Sequence, residues 1–170
     1  MKKILLAILT IMLAATLLTG CGNKKNENDT LVVGMELAYP PFETKDTQGN
    51  PTGVSVDFAN ALGEYLGRSV KIENIAWDGL IPALQTGQVD VVISSMTIKD
   101  ERREKIDFSK PYAKALLAIL ANKNSNVNSS EDLNQPGKKV TVKLNSTGHL
   151  YAQKNLANAQ LITLADESAC

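Results

Sequence analysis

Trp77-Asp78-Gly79-Leu80-Ile81-Pro82-Ala83-Leu84-Gln85-Thr86-Gly87-Gln88-Val89-Asp90-Val91-Val92-Ile93 is the stretch whose reading decides the fold. Residues 80–84 form a short helix that Gly87 stops, and residues 89–93 make a nearly continuous apolar run. A strand apolar on both faces belongs inside a parallel sheet that is covered above and below. Upstream, Leu31-Val32-Val33-Gly34-Met35 reads as another buried strand. Over residues 54–66, Phe58, Ala59, Leu62, Tyr65 and Leu66 fall at helical spacing and are expected to face inward. Asp57 suits the positive end of that helix, and Gly67 fits its stop. Residues 70–75 alternate as a strand. Strand, helix, strand, helix, strand is the pattern of an α/β layer.

The apolar strand runs into Ser94-Ser95-Met96-Thr97-Ile98-Lys99-Asp100-Glu101-Arg102. Hydroxyls and free backbone amides gather at the strand end, and an arginine follows Thr97 by five residues. A carboxylate wants several converging donors, and a planar guanidinium grips both its oxygens. The run therefore points to binding of an amino-acid α-carboxylate rather than to catalysis. Arg103 is the rival arginine, read as a solvated surface charge on a short helical segment over residues 100–105. Tyr39-Pro40-Pro41-Phe42 presents aromatics from a loop, because two prolines forbid regular structure. Residues 46–53, with Gly, Asn and Pro, read as a turn or hairpin.

At the N-terminus, Lys2 and Lys3 precede a greasy run that ends in Leu18-Thr19-Gly20-Cys21. A positive start, a short apolar core and small residues at a cut site describe a secretory signal peptide over residues 1–20. The run falls short of the roughly 20 apolar residues that span a bilayer. Leu18-Thr19-Gly20-Cys21 resembles the lipobox of bacterial lipoproteins, which implies acylation (palmitate among the chains) of Cys21. Residues 21–29 would then be a lipidated polar tether. Two or more acyl chains hold a domain durably at a membrane, whereas one holds it marginally. Cys170 is the other cysteine, so no internal disulfide is expected. Removing residues 1–20 takes away two lysines and no acid, which leaves 16 basic and 18 acidic residues and a net charge of −2. That balance lacks the basic stripe that nucleic acid calls for, and no nucleic-acid partner is expected.

Residues 115–121 are apolar enough to cross a core, and the Asn/Ser-rich residues 122–128 read as a boundary. Beyond it, Ser129 or Ser130 caps a short helix. Residues 139–144 read as a strand, 147–156 as a helix and 160–164 as another strand, the start of a second α/β unit. His149 is the only histidine. It either reaches a ligand or stands exposed as a bystander. One imidazole makes no metal site, and neither a metal nor a cofactor is expected.

Residues 34–42, 53–62, 77–97, 101–102, 106–112 and 140–147 together resemble the polar-amino-acid solute-binding proteins of bacterial ABC importers. The resemblance implies the type 2 periplasmic-binding-protein fold: two α/β lobes that close on a ligand between them. Lobe one would cover residues 30–112, an interlobe crossover strand 113–122, and lobe two 123–170. Arg102 would hold the α-carboxylate, with Thr97 and the Ser95 backbone as further donors. Tyr39 and Trp77 would sandwich the aliphatic part, and Phe42 would line the site or pack behind Tyr39. Glu36 stands where the family usually has an aspartate that meets the ammonium or side chain. Ser94 would wall the site or serve the local backbone. Thr147 would close on the carboxylate from lobe two, and Asn145 replaces a common glycine just before it. The implied partners are a free amino acid, a membrane permease, and the membrane itself through the N-terminal lipid. The expected state is a monomer on the extracytoplasmic face of a bacterial membrane.

Two alternatives stand beside this reading. The chain ends at Cys170, before the rest of the family's second lobe, so an inactive truncated product is one. The other is an enzyme on the same fold, because certain extracytoplasmic dehydratases resemble these binders. Such chemistry needs a positioned acid or base, and no evident pairing supplies it.

Overall fold

The computed structural model describes residues 29–170. The expected signal peptide, the lipid site at Cys21 and all of the tether except Asp29 lie outside the described residues. The elements are β1 (Thr30–Met35), β2 (Thr44–Lys45), β3 (Pro51–Thr52), α1 (Val54–Leu66), β4 (Ser69–Asn74), a 3-10 turn (Trp77–Gly79), α2 (Leu80–Gln85), β5 (Val91–Val92) and α3 (Asp100–Arg103). After a long irregular stretch come α4 (Ser130–Leu133), β6 (Lys139–Lys143), α5 (Thr147–Asn155), β7 (Gln160–Leu164) and a last 3-10 turn (Glu167–Ala169).

The first sheet runs in the order β4-β1-β5, and β1 pairs with β5 in parallel, Val33 beside Val91 and Gly34 beside Val92. Its core is Leu31, Val33, Met35, Leu37, Val56, Ala59 and Ile93, with Leu62, Val70, Ile72 and Val91 packed around it. On the other face, a Cβ on Gly34 would meet Val89 and Leu80, so the start of α2 covers the sheet there. Burial of both faces of β1 is what its unbroken apolar run requires.

Helix α1 has the expected bounds, and Gly67 caps it in a left-handed conformation. Its inward stripe differs from the expected one. Ser55, Val56, Ala59 and Gly63 are buried, whereas Phe58, Tyr65 and Leu66 are exposed. The small residues allow the helix to lie close to the sheet, and the bulky ones turn outward. Phe58 packs instead on Tyr112, with ring centroids 5.3 Å apart. The helix has no side-chain cap: Val54 and Ser55 donate their amides to the carbonyls of Pro41 and Phe42. Those carbonyls occupy the space a Cβ on Gly53 would need, at 2.6 and 2.4 Å. Gly53 also holds φ 117°, ψ 176°, a conformation reserved almost entirely for glycine.

Residues 44–52 form the expected hairpin, with the Asp46 carboxylate accepting from the Gln48 and Asn50 amides at 2.8 Å. The second unit pairs β6 with β7 in parallel over five residues, Lys139 to Gln160 through Lys143 to Leu164. Ser129 caps α4 in a reciprocal box with Asp132.

Residues 113–122 are not a strand. They carry no regular structure and are exposed, Leu116 at 85% and Leu120 at 101%. The physical reason is pairing: a strand needs a neighbour for its backbone groups, and this segment is hydrogen-bonded into none of the described sheets. Apolar composition alone does not make a core-crossing element.

Candidate ligand-binding site

Trp77 is the centre of the site. The 3-10 turn after β4 sets its indole against two cations. The Arg102 guanidinium lies 5.3 Å from the ring centroid and the Lys143 ammonium 5.4 Å. Both are within cation–π range.

Arg102 reaches inward from α3 and is 7% exposed, while Arg103 beside it is exposed. The segment thus buries Arg102 and leaves Arg103 at the surface. Nη1 donates to the Thr97 carbonyl at 2.8 Å and Nη2 to the Asn145 carbonyl at 2.9 Å. Among the described residues its guanidinium has no carboxylate in an ion pair. Burial pushes its pKa below the ordinary value, with the Glu101 charge opposing. Arginine nevertheless stays a cation.

Asn145 has φ 55°, the left-handed conformation expected of a residue that replaces glycine there. This turn directs its carbonyl to Arg102 and its side-chain amide to Asp78 Oδ1 at 3.0 Å. His149 holds the turn in place: its buried Nδ1 accepts from the Asn145 amide at 3.1 Å. It is therefore no exposed bystander. Thr147 and Thr97 meet hydroxyl to hydroxyl at 3.1 Å. Several ties thus join residues 36–102 to residues 143–149 around one tryptophan.

Glu36 follows the end of β1. Its Oε1 accepts from the Trp77 amide at 3.3 Å, and its Oε2 forms an ion pair with Lys143 Nζ. The side chains are 12% and 6% exposed, so this pair is nearly dry. Ser94 is buried and its hydroxyl accepts from the Glu36 amide at 2.9 Å, so it serves the backbone. Ser95 takes φ 49°, and its hydroxyl donates to Glu43 Oε2 at 3.0 Å. Tyr39 and Phe42 stack on each other, 5.9 Å between centroids and 18° between planes. Tyr39 keeps an exposed face, and Phe42 backs it.

The structure thus gathers Glu36, Trp77, Thr97, Arg102 and Thr147, and places Ser94, Ser95, Tyr39 and Phe42 in supporting contacts. Sequence reasoning missed Lys143 and Glu43. Lys143 had a signal: a lysine that follows the β-branched run Val140-Thr141-Val142 and closes the strand before the Thr147 loop. Glu43 had none, since a glutamate after Phe42 in a loop looks solvated. It is 1% exposed and takes hydroxyl hydrogen bonds from Ser55 and Ser95. Two shallow clefts of about 330 and 360 Å³ lie along α5, but Thr147 is the only one of these site residues in either lining. The described residues hold no cluster of histidine, cysteine and acidic groups fit for a metal ion. None of their helices is long and apolar enough to cross a membrane.

Burial raises the Glu43 pKa above 4.5, and the Glu36 charge adds to this, while Ser55, Ser95 and Lys143 oppose it. Native Glu43 therefore keeps its proton to higher pH than the unfolded chain does. The stability this lends is complete below the unfolded value and is lost as pH rises through the native one. Denaturant unfolding of Glu43→Gln and its parent, at about pH 5 and about pH 7, should show the difference moving in the variant's favour at the higher pH. An equal difference at both values would refute the assignment.

The pattern of the bacterial extracellular solute-binding proteins, family 3, matches residues 31–160. The chain belongs to this family. The L-cystine-binding protein of Escherichia coli strain K12 is 36% identical over 150 residues, which is 87% of this chain and 56% of that one. A solved ancestral amino acid-binding protein, described as a precursor of cyclohexadienyl dehydratase, aligns with TM-score 0.80 and 43% identity over 84% of this chain and 63% of its own. An ancestral arginine-binding protein bound to arginine gives TM-score 0.78 and 41% identity over 83% and 63%. The fold of this family 3 member is accordingly the α/β type 2 periplasmic-binding-protein fold. The chain spans less than two thirds of the length of these relatives. The family is extracellular, and these relatives are binding proteins.

Proposed function

We propose that this chain binds a free, polar amino acid outside the cytoplasm and presents it to a membrane permease of an ABC importer. The observation that carries the reading is Arg102: a buried guanidinium lying over Trp77, held by two backbone carbonyls. Its donors are preorganised, which lowers the entropic cost of gripping a carboxylate. Thr97 and Thr147 add hydroxyls from either side of the site, and the Ser95 backbone adds an amide. Trp77 and Tyr39 supply flat walls for the aliphatic part, with Phe42 and Ser94 behind them. Because contacts come from both units, a ligand favours the closed arrangement in proportion to what it touches in both. The names of the relatives, binders of cystine and arginine, support an amino acid as ligand.

The leader and lipobox pattern of Leu18-Thr19-Gly20-Cys21 supports anchoring of this binder to the membrane by lipid on Cys21. Titration calorimetry of the protein against the twenty amino acids and cystine tests the function. Saturable binding of at least one supports it; heats no larger than dilution for all of them refute it.

A second reading, catalysis on this fold, draws on the solved neighbour described as a dehydratase precursor. Turnover of a prephenate-like substrate that persists through repeated purification would favour it over binding alone.

A further inference from the structure

Lys143 is a buried cation that the carboxylate grip does not need. It sits at the end of β6 with its side chain 6% exposed, paired with Glu36 and over the same indole ring as Arg102. Glu36 has both carboxylate oxygens engaged, one by Lys143 and the other by the Trp77 amide. It could serve a ligand's cationic group only by leaving Lys143, and an unpaired buried ammonium is costly. Arg102, Lys143 and Glu36 together carry one net positive charge around Trp77. An α-carboxylate on Arg102 cancels it, and the α-ammonium restores it. A second carboxylate on the ligand cancels it again; a cationic side chain adds a fourth positive group, after Arg102, Lys143 and the α-ammonium, to a dry site where like charges repel strongly.

We propose that Lys143 is a specificity-determining residue that selects an amino acid carrying a second carboxylate and rejects cationic side chains. Glutamate and aspartate satisfy this chemistry; arginine and lysine do not, and cystine brings a second ammonium along with its second carboxylate. The inference rests on the proposed amino-acid site and narrows its ligand class. Selection works through repulsion as much as attraction, since the same ammonium that pairs with a distal carboxylate excludes a guanidinium.

Calorimetric titration of the protein with L-glutamate, L-aspartate, L-cystine, L-glutamine, L-arginine and L-lysine reads the preference directly. At least one dicarboxylic ligand should bind ten-fold or more tighter than arginine. Lys143→Met should reverse that order, because Glu36 is released to meet a cation. The double variant Glu36→Gln/Lys143→Met, which removes both charges of the pair together, should lose the preference for a second carboxylate without gaining arginine, and it keeps the test open if the single variant does not fold. Tighter binding of arginine or lysine by the unaltered protein would overturn the inference while leaving the amino-acid site standing. An unchanged ratio in the double variant would overturn it too. Absence of binding to every amino acid would instead overturn the site itself.

Discussion

Arg102→Met should remove the proposed amino-acid binding almost entirely, the largest functional effect expected of any single change here. The guanidinium is buried over Trp77, and its hydrogen bonds to the Thr97 and Asn145 carbonyls orient it without neutralising it. A carboxylate docking there makes a desolvated, charge-assisted pair. Truncating one partner of such a pair costs about 2–5 kcal/mol, or roughly 30-fold to several thousand-fold in Kd. Methionine keeps much of the side-chain volume, so packing against Trp77 is largely retained. Calorimetry on the variant with the best ligand checks this, and circular dichroism confirms that the fold persists. Affinity within three-fold of the parent would show that the carboxylate is held elsewhere. Arg103→Met, on the exposed side of α3, should leave binding unchanged.

Gly53→Ala should be the costliest small substitution for the fold. The new methyl carbon would stand 2.4 Å from the Phe42 carbonyl oxygen and 2.6 Å from that of Pro41. Neither oxygen can retreat, because they accept the amides of Ser55 and Val54 that open α1. Alanine also resists φ 117°, ψ 176°. Strain of that kind costs about 1–3 kcal/mol, and a forced clash adds a similar amount. A loss of about 2–5 kcal/mol is expected in denaturant unfolding. The consequence extends to the site, since the loop that α1 holds carries Tyr39, Phe42 and Glu43. A change below about 0.5 kcal/mol would mean that the loop and helix separate freely.

Local chemistry made much of this legible in advance. The bounds of α1, the stop at Gly67 and the hairpin after Asp46 each depend on a few neighbouring residues and stand where sequence reasoning put them, and of the two serines offered as a cap it is Ser129 that serves. The parallel pairing of β1 with β5 followed from unbroken apolar runs. Side-chain facing was less legible. Phe58 and Tyr65 have the hydrophobicity of core residues, yet the close approach of α1 to the sheet favours Ala59 and Gly63 at the contact. Residues 113–122 show the same limit for strands, whose existence depends on a neighbour that composition does not reveal.

By itself the sequence determined that an α/β layer ends in a run of hydroxyls followed by an arginine, because periodicity and strand-end chemistry are properties of short segments. Which arginine turns inward was settled by the tertiary structure, where the fold brings the Asn145 carbonyl and the Trp77 face to Arg102. Only that structure placed Lys143 against Glu36, 107 residues earlier in the chain. Ion pairs of such separation are encoded in no local pattern; they exist because two sheets, each folded for its own apolar reasons, bring their polar ends together at one tryptophan.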